Sequence, residues 1–328
     1  MSTGQKTVDI AVSIINYRTG AMTLDCVRSV LAAAAEETGL RIDTVVIDND
    51  SGDGSAEMIA DWIEEQGVQD RVRLLRSATN SGFSGGHNQG IAATDSAFVL
   101  ILNSDAALRP GFFGPLMAAA RAHPEAGFFS PRLEEPDGTP QVGGFRFHSP
   151  FSELIRAAVS GPVTRLLQNH VVPLGPDPDP SQVGWVSFAC VLLRRSMITA
   201  IGPMDEGFFL YFEDCEYSLR AARAGYGAIL VPQARVVHIR GGSGPVTMLQ
   251  GAGKRLPEYF YLSRSRYFYL SRGRAGLLAA NLCWHLGRAI AALRPLTGRR
   301  IPSAAAHEAR DIWTGFLSPL ARSGRPGT

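Results

Sequence analysis

The strongest constraint on the fold is an alternation, early in the chain, between short aliphatic runs and segments of helical periodicity. The runs VDIAVSII, DTVVID, VRLLRS and AFVLILN are typical of strands. Residues 23–37 and 55–66 have helical spacing, and Ser55 is the predicted N-cap of the second segment. Strands that alternate with helices form a parallel sheet with both faces covered, so the pattern predicts an α/β fold.

Polar residues follow each of the four predicted strands. They are Asn16, Asp48, Asn80 and Asp105, each at or just after a strand end. Because ligands of open α/β sheets bind beyond the carboxyl ends of the strands, these residues predict a binding crevice along one edge. The glycine-rich segment NSGFSGGHNQG, ahead of a short predicted helix, offers backbone N–H groups to a diphosphate. It matches neither GxGxxG nor a Walker loop.

The second half of the chain contains fewer regular patterns. A helix is predicted over residues 111–122, and the Pro- and Gly-rich stretch 131–180 is predicted to form loops that cover the crevice. A strand, a helix that begins near Asp214 and a last strand that ends at His238 are expected after that stretch.

Several polar positions carry candidate chemistry, and each has a structural alternative. Asp48, in the turn VIDNDSGDGS, can accept hydrogen bonds from a nucleotide or can simply shape the turn. Asp105 can bind a divalent cation together with substrate phosphates, or it can cap an Asx turn. Glu213 and Asp214 interrupt an aromatic run, where a carboxylate can act as a general base or can favour a helix N-terminus. His238 alone is more often a structural residue than a ligand.

Cysteine usage and the N-terminal sequence bear on the cellular compartment. The four cysteines form no CxxC pair, which argues against a zinc site or a disulfide framework. The first residues show no signal-peptide pattern, and no run reaches the roughly 18 apolar residues that span a bilayer. We therefore expect a cytoplasmic protein that is neither exported nor integral to a membrane.

The basic residues are concentrated near the C-terminus. Residues 254–300 contain ten Lys or Arg and a single acid, Glu258. Apolar residues recur there at helical spacing, namely Leu278, Leu282, Leu286, Ile290 and Leu293. Such a helix either makes a peripheral contact with the inner face of the cell membrane or packs on the rest of the protein. A basic aromatic stretch also suits nucleic acid, but nothing else in the sequence supports that partner.

Seven motifs, in order between residues 8 and 243, resemble those of the inverting family-two glycosyltransferases, in particular bacterial rhamnosyltransferases. They are SIINYR, VIDNDSGDGS, NSGFSGGHNQG, ILNSDA, GWVSFACVLLRRS, GPMDEGFFLYFEDCEYSLRAARAGY and VVHIRGGS. The resemblance implies a GT-A fold over residues 1–245, in which a Rossmann-like mixed, mainly parallel sheet is flanked by helices. Residues 246–328 are then a basic, helical C-terminal extension.

The resemblance also implies roles for individual residues. Asp105 and His238 would bind Mg²⁺ or Mn²⁺, although Asn103 stands where the family's DxD-like motif has its first acid. Asp214, with Glu213 beside it, corresponds to the catalytic base, and Trp185 would lie near the acceptor. The donor nucleotide-sugar would contact Asn16, Tyr17, Asp48, Asn80, Gly82, Asn88, Asn103 and Ser104.

The reaction that the resemblance implies is metal-assisted sugar transfer with inversion. The donor would be a dTDP- or UDP-sugar, with L-rhamnose from dTDP-rhamnose as the first choice, and the acceptor a lipid-linked or polysaccharide glycan of the cell envelope. A nucleotidyltransferase is a competing hypothesis, but it would have a basic Gly-rich loop where this chain has the short NYRTG. A non-catalytic nucleotide-sugar-binding domain would lack the Asp105 or Asp214 carboxylate, and both are present.

Overall fold

The computed structural model describes residues 8–239, 246–298 and 300–321. The chain divides into two compact units, each assembled from three separate segments. The first comprises Met1–Gly143, Val186–Asp205 and Arg220–Ser243, and the second comprises Gly144–Trp185, Glu206–Leu219 and Gly244–Thr328. The segments Gly144–Trp185 and Glu206–Leu219 therefore belong to the same unit as the C-terminal part of the chain. The predicted domain boundary at residue 245 stays a prediction.

The first unit contains a mixed eight-stranded sheet with the strand order β3-β2-β1-β4-β9-β6-β10-β5. Strands β1 to β4 pair in parallel, as do β6 and β10, whereas β9 and β5 are antiparallel to their neighbours. The described strands are β1 Val8–Asn16, β2 Ile42–Asp48, β3 Val72–Arg76, β4 Ser96–Leu102, β5 Ala106–Leu108, β6 Phe128–Glu134, β7 Gly144–Phe145, β8 Trp185–Val186, β9 Cys190–Arg194 and β10 Ala228–His238. This sheet confirms the predicted mixed, mainly parallel architecture.

Helices flank the sheet and complete the second unit. The central strand β4 is buried on both faces, since Val99, Leu100 and Ile101 have no exposed surface. The described helices are α1 Gly20–Ala35, α2 Ser55–Glu65, α3 Gly82–Ala92, α4 Phe113–Ala122, α5 Pro150–Ala158, α6 Gly161–Leu166, α7 Arg195–Ile201, α8 Glu213–Arg223, α9 Val246–Gly251, α10 Glu258–Ala292 and α11 Glu308–Asp311. Short 3₁₀ turns lie at Gln168–His170, Pro180–Gln182 and Arg294–Thr297.

Two local predictions about the first unit were wrong. Gly54, in a left-handed conformation, is the N-cap of α2, and Ser55 is the first helical residue. The glycine-rich segment does not precede a helix but forms α3 itself. Its glycines permit close packing on the sheet, because a Cβ at Gly86 would lie 2.6 Å from the Ile15 side chain and one at Gly90 would lie 2.5 Å from Ser13 Oγ.

The stretch 131–180, predicted to be loops, also differs from expectation because it contains α5 and α6. A capping box at Ser149 and a proline at the first helical position start α5 in an otherwise irregular region. Helix α5 is tied to α10 by a buried ion pair, in which Arg264 Nε donates to Glu153 Oε2 at 3.0 Å. Burial works to raise the pKa of Glu153, but Arg156 and Arg264 outweigh it and lower the pKa to about 2.

Helix α10 is a helical hairpin rather than a straight rod. Gly273 has a φ of 69° and interrupts the helical geometry. Arg264 Nη1 donates to Asn281 Oδ1 at 2.8 Å. On a straight helix these residues would be about 25 Å apart, so the chain must reverse between them. We call residues 258–272 the first arm and residues 274–292 the second arm.

By length and composition alone, Glu258–Leu296 qualifies as a candidate membrane span. That criterion is also met by the core helices of soluble proteins, and 39% of the most apolar window is buried inside the protein. The reversal at Gly273 further breaks this segment into two antiparallel arms.

Candidate active site

The ends of β1 and β2 are joined by a buried side-chain network. These strands pair with Asn16 opposite Asp48, and Asn16 Nδ2 donates to Asp48 Oδ1 at 2.7 Å and to Ser55 Oγ at 2.8 Å. The Asn16 amide oxygen accepts from Thr23 Oγ1 at 3.0 Å. Asn16 is fully buried, so we expect it to act on a ligand by orienting Asp48. Its direct contact with a donor stays a prediction.

Tyr17, directly after β1, lies at the surface of the first unit. Its ring is 38% exposed, and the Arg18 guanidinium carbon lies 5.2 Å from the ring centroid. Arg18 is itself held by Ser51, whose backbone oxygen accepts from Arg18 Nε at 3.1 Å. An exposed aromatic face beside the strand end is chemically suited to stack on a nucleotide base.

A second amide network links the turn after β2 to the start of α3. Asn49 Nδ2 donates to Asn80 Oδ1 and to the Gly82 carbonyl oxygen, both at 3.0 Å, and Asn49 Oδ1 accepts from Ser81 N at 3.1 Å. Asn49 is buried, and it fixes Asn80 and Gly82 relative to β2. Asn49 was not among the predicted site residues, although its place between Asp48 and Asp50 in VIDNDSGDGS was the available signal.

Asn88 is committed to the protein backbone. Its Nδ2 donates to the Met204 carbonyl oxygen at 2.9 Å, and its Oδ1 accepts from Met204 N at 3.0 Å. These bonds tie α3 to the segment after α7. A donor contact through the Asn88 amide would have to replace them.

The turn after β4 brings three of the predicted residues next to the end of β1. Ser104 Oγ accepts from Thr19 Oγ1 at 3.1 Å, and the Asn103 carbonyl oxygen accepts from Ala106 N at 3.2 Å. Asp105 follows in the same turn, with a side chain that has no exposed surface. The predicted convergence of the β1, β2 and β4 ends is therefore present within the first unit.

Asp105 and His238 meet because β5 pairs with the end of β10. His238 lies opposite Ala106 in this pairing, and its Nε2 is 3.5 Å from Asp105 Oδ1. Gln141 holds the imidazole from the other side: its Nε2 donates to the His238 carbonyl oxygen at 2.7 Å, and its Oε1 lies 3.2 Å from His238 Nδ1. In the neutral tautomer that donates from Nδ1 to Gln141, Nε2 keeps its lone pair facing Asp105.

Asp105 and His238 are chemically suited to a divalent cation. Both carboxylate oxygens of Asp105 are buried and accept no hydrogen bond from the residues that the structure describes. A buried carboxylate in that situation is costly unless a cation compensates it. Within the described ranges no group of three or more His, Cys, Asp or Glu forms a complete site. Mg²⁺-type sites often use one or two protein ligands and take the remainder from substrate phosphates and water.

The remaining predicted residues, Glu213, Asp214 and Trp185, belong to the second unit. Glu213 is buried at the start of α8, and Asp214 next to it is partly exposed. Burial, together with the Asp214 carboxylate, raises the pKa of Glu213 well above its usual range. A raised pKa favours the protonated form of Glu213, which makes Asp214 the better base candidate of this pair.

The backbone just before α8 is unusual. Tyr211 and Phe212 have φ values of 72° and 69°, so two consecutive non-glycine residues adopt the left-handed region. Each such residue costs about 1–3 kcal/mol and persists only where the surroundings enforce it. The Phe212 carbonyl oxygen accepts from Glu216 N at 2.9 Å, so this strained turn is the start of the helix that carries Asp214. Nothing in the sequence indicated the left-handed turn.

Trp185 forms part of an aromatic group in the second unit. Its ring stacks on Phe145 with centroids 4.2 Å apart and an interplanar angle of 14°, and His148 lies 6.0 Å away. Trp185 Nε1 donates to the Arg146 carbonyl oxygen at 2.9 Å, which fixes the ring orientation. Stacked rings of this kind are suited to contact the apolar face of a sugar, and the acceptor role of Trp185 stays a prediction.

Comparison with known sequences identifies one family and several relatives. The family model "Glycosyl transferase family 2" matches residues 11–174. The chain is 30% identical over 229 residues to an N-acetylglucosaminyl-diphospho-decaprenol L-rhamnosyltransferase of Mycobacterium tuberculosis, a match that covers 63% of this chain and 70% of the relative.

Comparison with solved structures identifies enzymes of similar fold. GalNAc-T7, solved with UDP, GalNAc and Mn²⁺, has a TM-score of 0.57 at 15% identity, and the match covers 91% of this chain and 59% of that one. The mannosyltransferase PcManGT of Pyrobaculum calidifontis, solved with GDP-Man and Mn²⁺, has a TM-score of 0.50 at 16% identity, with 96% and 83% covered. At these identities the likeness concerns the fold.

Proposed function

Because the chain belongs to glycosyl transferase family 2 and is a glycosyltransferase, we propose that it moves a sugar from a nucleoside diphosphate to an acceptor hydroxyl with inversion. The observation that carries the site assignment is the buried Asp105 carboxylate, which has no hydrogen-bond donor among the described residues and faces His238. Asp105 lies in the turn after β4. Asp48 is the last residue of β2 and lies at the same edge of the sheet.

The donor would bind along the ends of β1, β2 and β4. Asp48, oriented by Asn16, supplies an acceptor for nucleotide N–H or hydroxyl groups, and the Tyr17 ring supplies a stacking surface. The turn Asn103-Ser104-Asp105 lies next to this point through the Thr19–Ser104 hydrogen bond. The diphosphate would extend from Asp48 towards Asp105.

A divalent cation, Mg²⁺ or Mn²⁺, would be held by Asp105 and His238 together with the donor diphosphate. When bound, it neutralises the negative charge that develops on the leaving diphosphate. Gln141 keeps the His238 imidazole oriented with Nε2 towards Asp105. The two solved enzymes of similar fold contain Mn²⁺, which supports the choice of a divalent cation.

Asp214 would remove the acceptor proton. As the acceptor oxygen forms its bond to the anomeric carbon, the bond to the diphosphate oxygen breaks and the acceptor proton passes to the Asp214 carboxylate. Burial raises the pKa of Glu213 and so favours its protonated form, which leaves the proton transfer to Asp214. One displacement inverts the configuration, so no covalent sugar–enzyme intermediate is required.

The base assignment is tested with Asp214→Asn and the matched control Glu216→Gln, which removes another carboxylate from the first turn of the same helix. General base catalysis contributes about 10²–10⁴-fold, so kcat of Asp214→Asn should fall by about that factor, with the donor Kd nearly unchanged. Glu216→Gln should remain within about threefold of wild type. Wild-type activity in Asp214→Asn would remove the base from the proposal.

For the substrates, we propose L-rhamnose from dTDP-rhamnose as donor and a lipid-linked glycan as acceptor. The support is the Mycobacterium tuberculosis relative, whose name specifies an L-rhamnosyltransferase and a decaprenyl-diphosphate-linked acceptor. A UDP-sugar is the alternative donor. A thermal-shift panel of dTDP-, UDP- and GDP-sugars with Mn²⁺ distinguishes them, because a ligand stabilises the state that it binds.

The second arm has an exposed apolar stripe that consists of Leu278, Leu282 and Leu286. If the acceptor is lipid-linked, this stripe can contact the membrane that holds the acceptor. These side chains are between 39% and 54% exposed. Arg274 precedes Leu278 by four residues, Arg294 follows Leu286 by eight, and residues 259–307 contain no acid. An apolar face with cationic ends complements an anionic lipid surface, so we assign the stripe to peripheral membrane contact on the cytoplasmic side.

A further inference from the structure

The aromatic residues of the first arm pack on the strained turn ahead of α8. The Tyr211 ring is stacked on Tyr259, with centroids 6.4 Å apart and an interplanar angle of 7°, and lies 5.7 Å from Phe260. The Phe212 ring lies 5.7 Å from both Phe260 and Tyr267. Both residues of the left-handed pair therefore contact rings of one helical arm.

Polar contacts add to this packing. Ser263 Oγ donates to the Leu210 carbonyl oxygen at 3.1 Å, and Ser263 has no exposed surface. The Tyr267 hydroxyl is hydrogen-bonded to the thiol of Cys215, the residue that follows Asp214. The first arm thus contacts the chain on both sides of the Glu213–Asp214 pair.

Gly207, the residue directly before the aromatic run, lies against Arg266 of the first arm. A Cβ at this position would lie 2.1 Å from the Arg266 guanidinium carbon. Arg266 in turn packs over the Phe208 ring at 5.5 Å. The Arg266 guanidinium therefore occupies the space beside Gly207 and Phe208.

We propose that the first arm, through Phe260 and Ser263, is a positioning element for the Asp214 carboxylate. This inference rests on the proposed role of Asp214 as base. Two consecutive left-handed residues do not hold their conformation by themselves, and the turn that they form sets where α8 begins. If the rings of the arm were removed, the turn would relax towards ordinary backbone angles and Asp214 would move away from the acceptor.

The motif YFYLSRSRYFYLSR thereby has a function in the reaction in addition to packing. Phe260, Tyr259 and Tyr267 act on the reaction through the backbone of residues 211–212, without touching substrate themselves. Their loss should therefore lower kcat and leave the donor KM unchanged, because the proposed donor residues belong to other elements, β1, β2 and β4.

The test is a double-mutant cycle between Phe260→Ala and Asp214→Glu, with Tyr269→Ala as matched control on the same arm. A displacement of about 1 Å costs on the order of 10²-fold, so kcat of Phe260→Ala should fall by about 10–100-fold at constant donor KM. The conservative variant Phe260→Tyr should keep most of the wild-type kcat. In the Asp214→Glu background, where the carboxylate is already misplaced, Phe260→Ala should cause little further loss.

Ser263→Ala is the gentler second variant, for use if Phe260→Ala fails to fold. It removes one hydrogen bond to Leu210 with almost no change in shape, and kcat should fall several-fold at constant donor KM. The inference is wrong if Phe260→Ala or Ser263→Ala behaves like Tyr269→Ala, if donor KM changes as much as kcat, or if the cycle is additive. Full activity in Asp214→Asn would instead refute the base assignment on which the inference rests.

Discussion

His238 Nε2 lies 3.5 Å from Asp105 Oδ1, and the contact is produced by the antiparallel pairing of β5 with the last residues of β10. The backbone reinforces it, since Ile239 N donates to the Asp105 carbonyl oxygen at 3.0 Å. Two potential metal ligands are thereby fixed by main-chain geometry rather than by flexible loops. Gln141 then orients the imidazole from its other side.

Replacing the Asp105 carboxylate should stabilise the metal-free protein but weaken its binding of metal. In Asp105→Asn, the metal-free protein should melt at a higher temperature than wild type, because a buried charge without hydrogen-bond donors is removed. The same change should raise the Mn²⁺ Kd in the presence of donor by more than about 100-fold. Loss of a direct metal ligand should weaken metal binding more than loss of a residue that only orients a ligand. Thermal melts with and without Mn²⁺ measure both effects. A lower melting temperature without metal, or an unchanged Kd, contradicts the assignment.

Gln141 should tune the same site without binding the metal itself. Gln141→Ala removes both hydrogen bonds to His238 and frees the imidazole to rotate. Loss of such a supporting contact typically costs about 10–100-fold in metal affinity. A Mn²⁺ titration of activity should show this shift, with kcat recovered at saturating metal. Gln182→Ala, a glutamine exposed elsewhere on the surface, serves as the control.

The raised pKa of Glu213 leads to a prediction about stability and pH. A buried carboxyl that keeps its proton in the folded state, but loses it in the unfolded state, destabilises the fold as pH rises above the unfolded pKa. Below that pKa both states are protonated, and the effect vanishes. Glu213→Gln should therefore raise the melting temperature at pH 8 by more than at pH 4. A difference that is constant or smaller at pH 8 would show that the pKa of Glu213 is not raised in the folded protein.

The exposed stripe can be tested by its contribution to vesicle binding. Changing Leu278, Leu282 and Leu286 together to Ser should lower partitioning onto phosphatidylserine-containing vesicles by more than about 10-fold, because each buried leucine contributes about 1.5–3 kcal/mol. The matched control changes three other exposed apolar residues, Leu166, Met248 and Leu317, to Ser. Equal binding by both triple variants, or a stripe variant that only dissociates a dimer on size exclusion, would count against membrane contact.

The strand ends were predictable because period and composition are local properties. Asn16 and Asp48 end β1 and β2 as expected, and adjacent parallel strands necessarily bring their ends to one edge. The glycine-rich segment was interpreted wrongly, since glycine disfavours a helix by propensity alone. Its helix forms because Gly86 and Gly90 allow close packing on β1, and packing partners are not written in the local sequence.

The C-terminal segment shows a second limit of local patterns. The spacing of Leu278, Leu282 and Leu286 predicted an amphipathic helix, but left open whether that face is buried or exposed. In the structure the opposite face of the second arm, with Ala280 and Trp284, is buried and the leucines remain exposed. This face is buried because the chain reverses at Gly273 and the second arm folds against the first.

The α/β class, the strand ends and the candidate carboxylates follow from the amino-acid sequence, because they depend on residue type and short-range spacing. Other contacts arise only in the folded chain: His238 lies next to Asp105 through strand pairing, Gln141 lies behind the imidazole, and the left-handed turn at Tyr211 and Phe212 packs on the rings of the first arm. These contacts join residues far apart in the chain. Their energies depend on packing and burial, which no local pattern encodes.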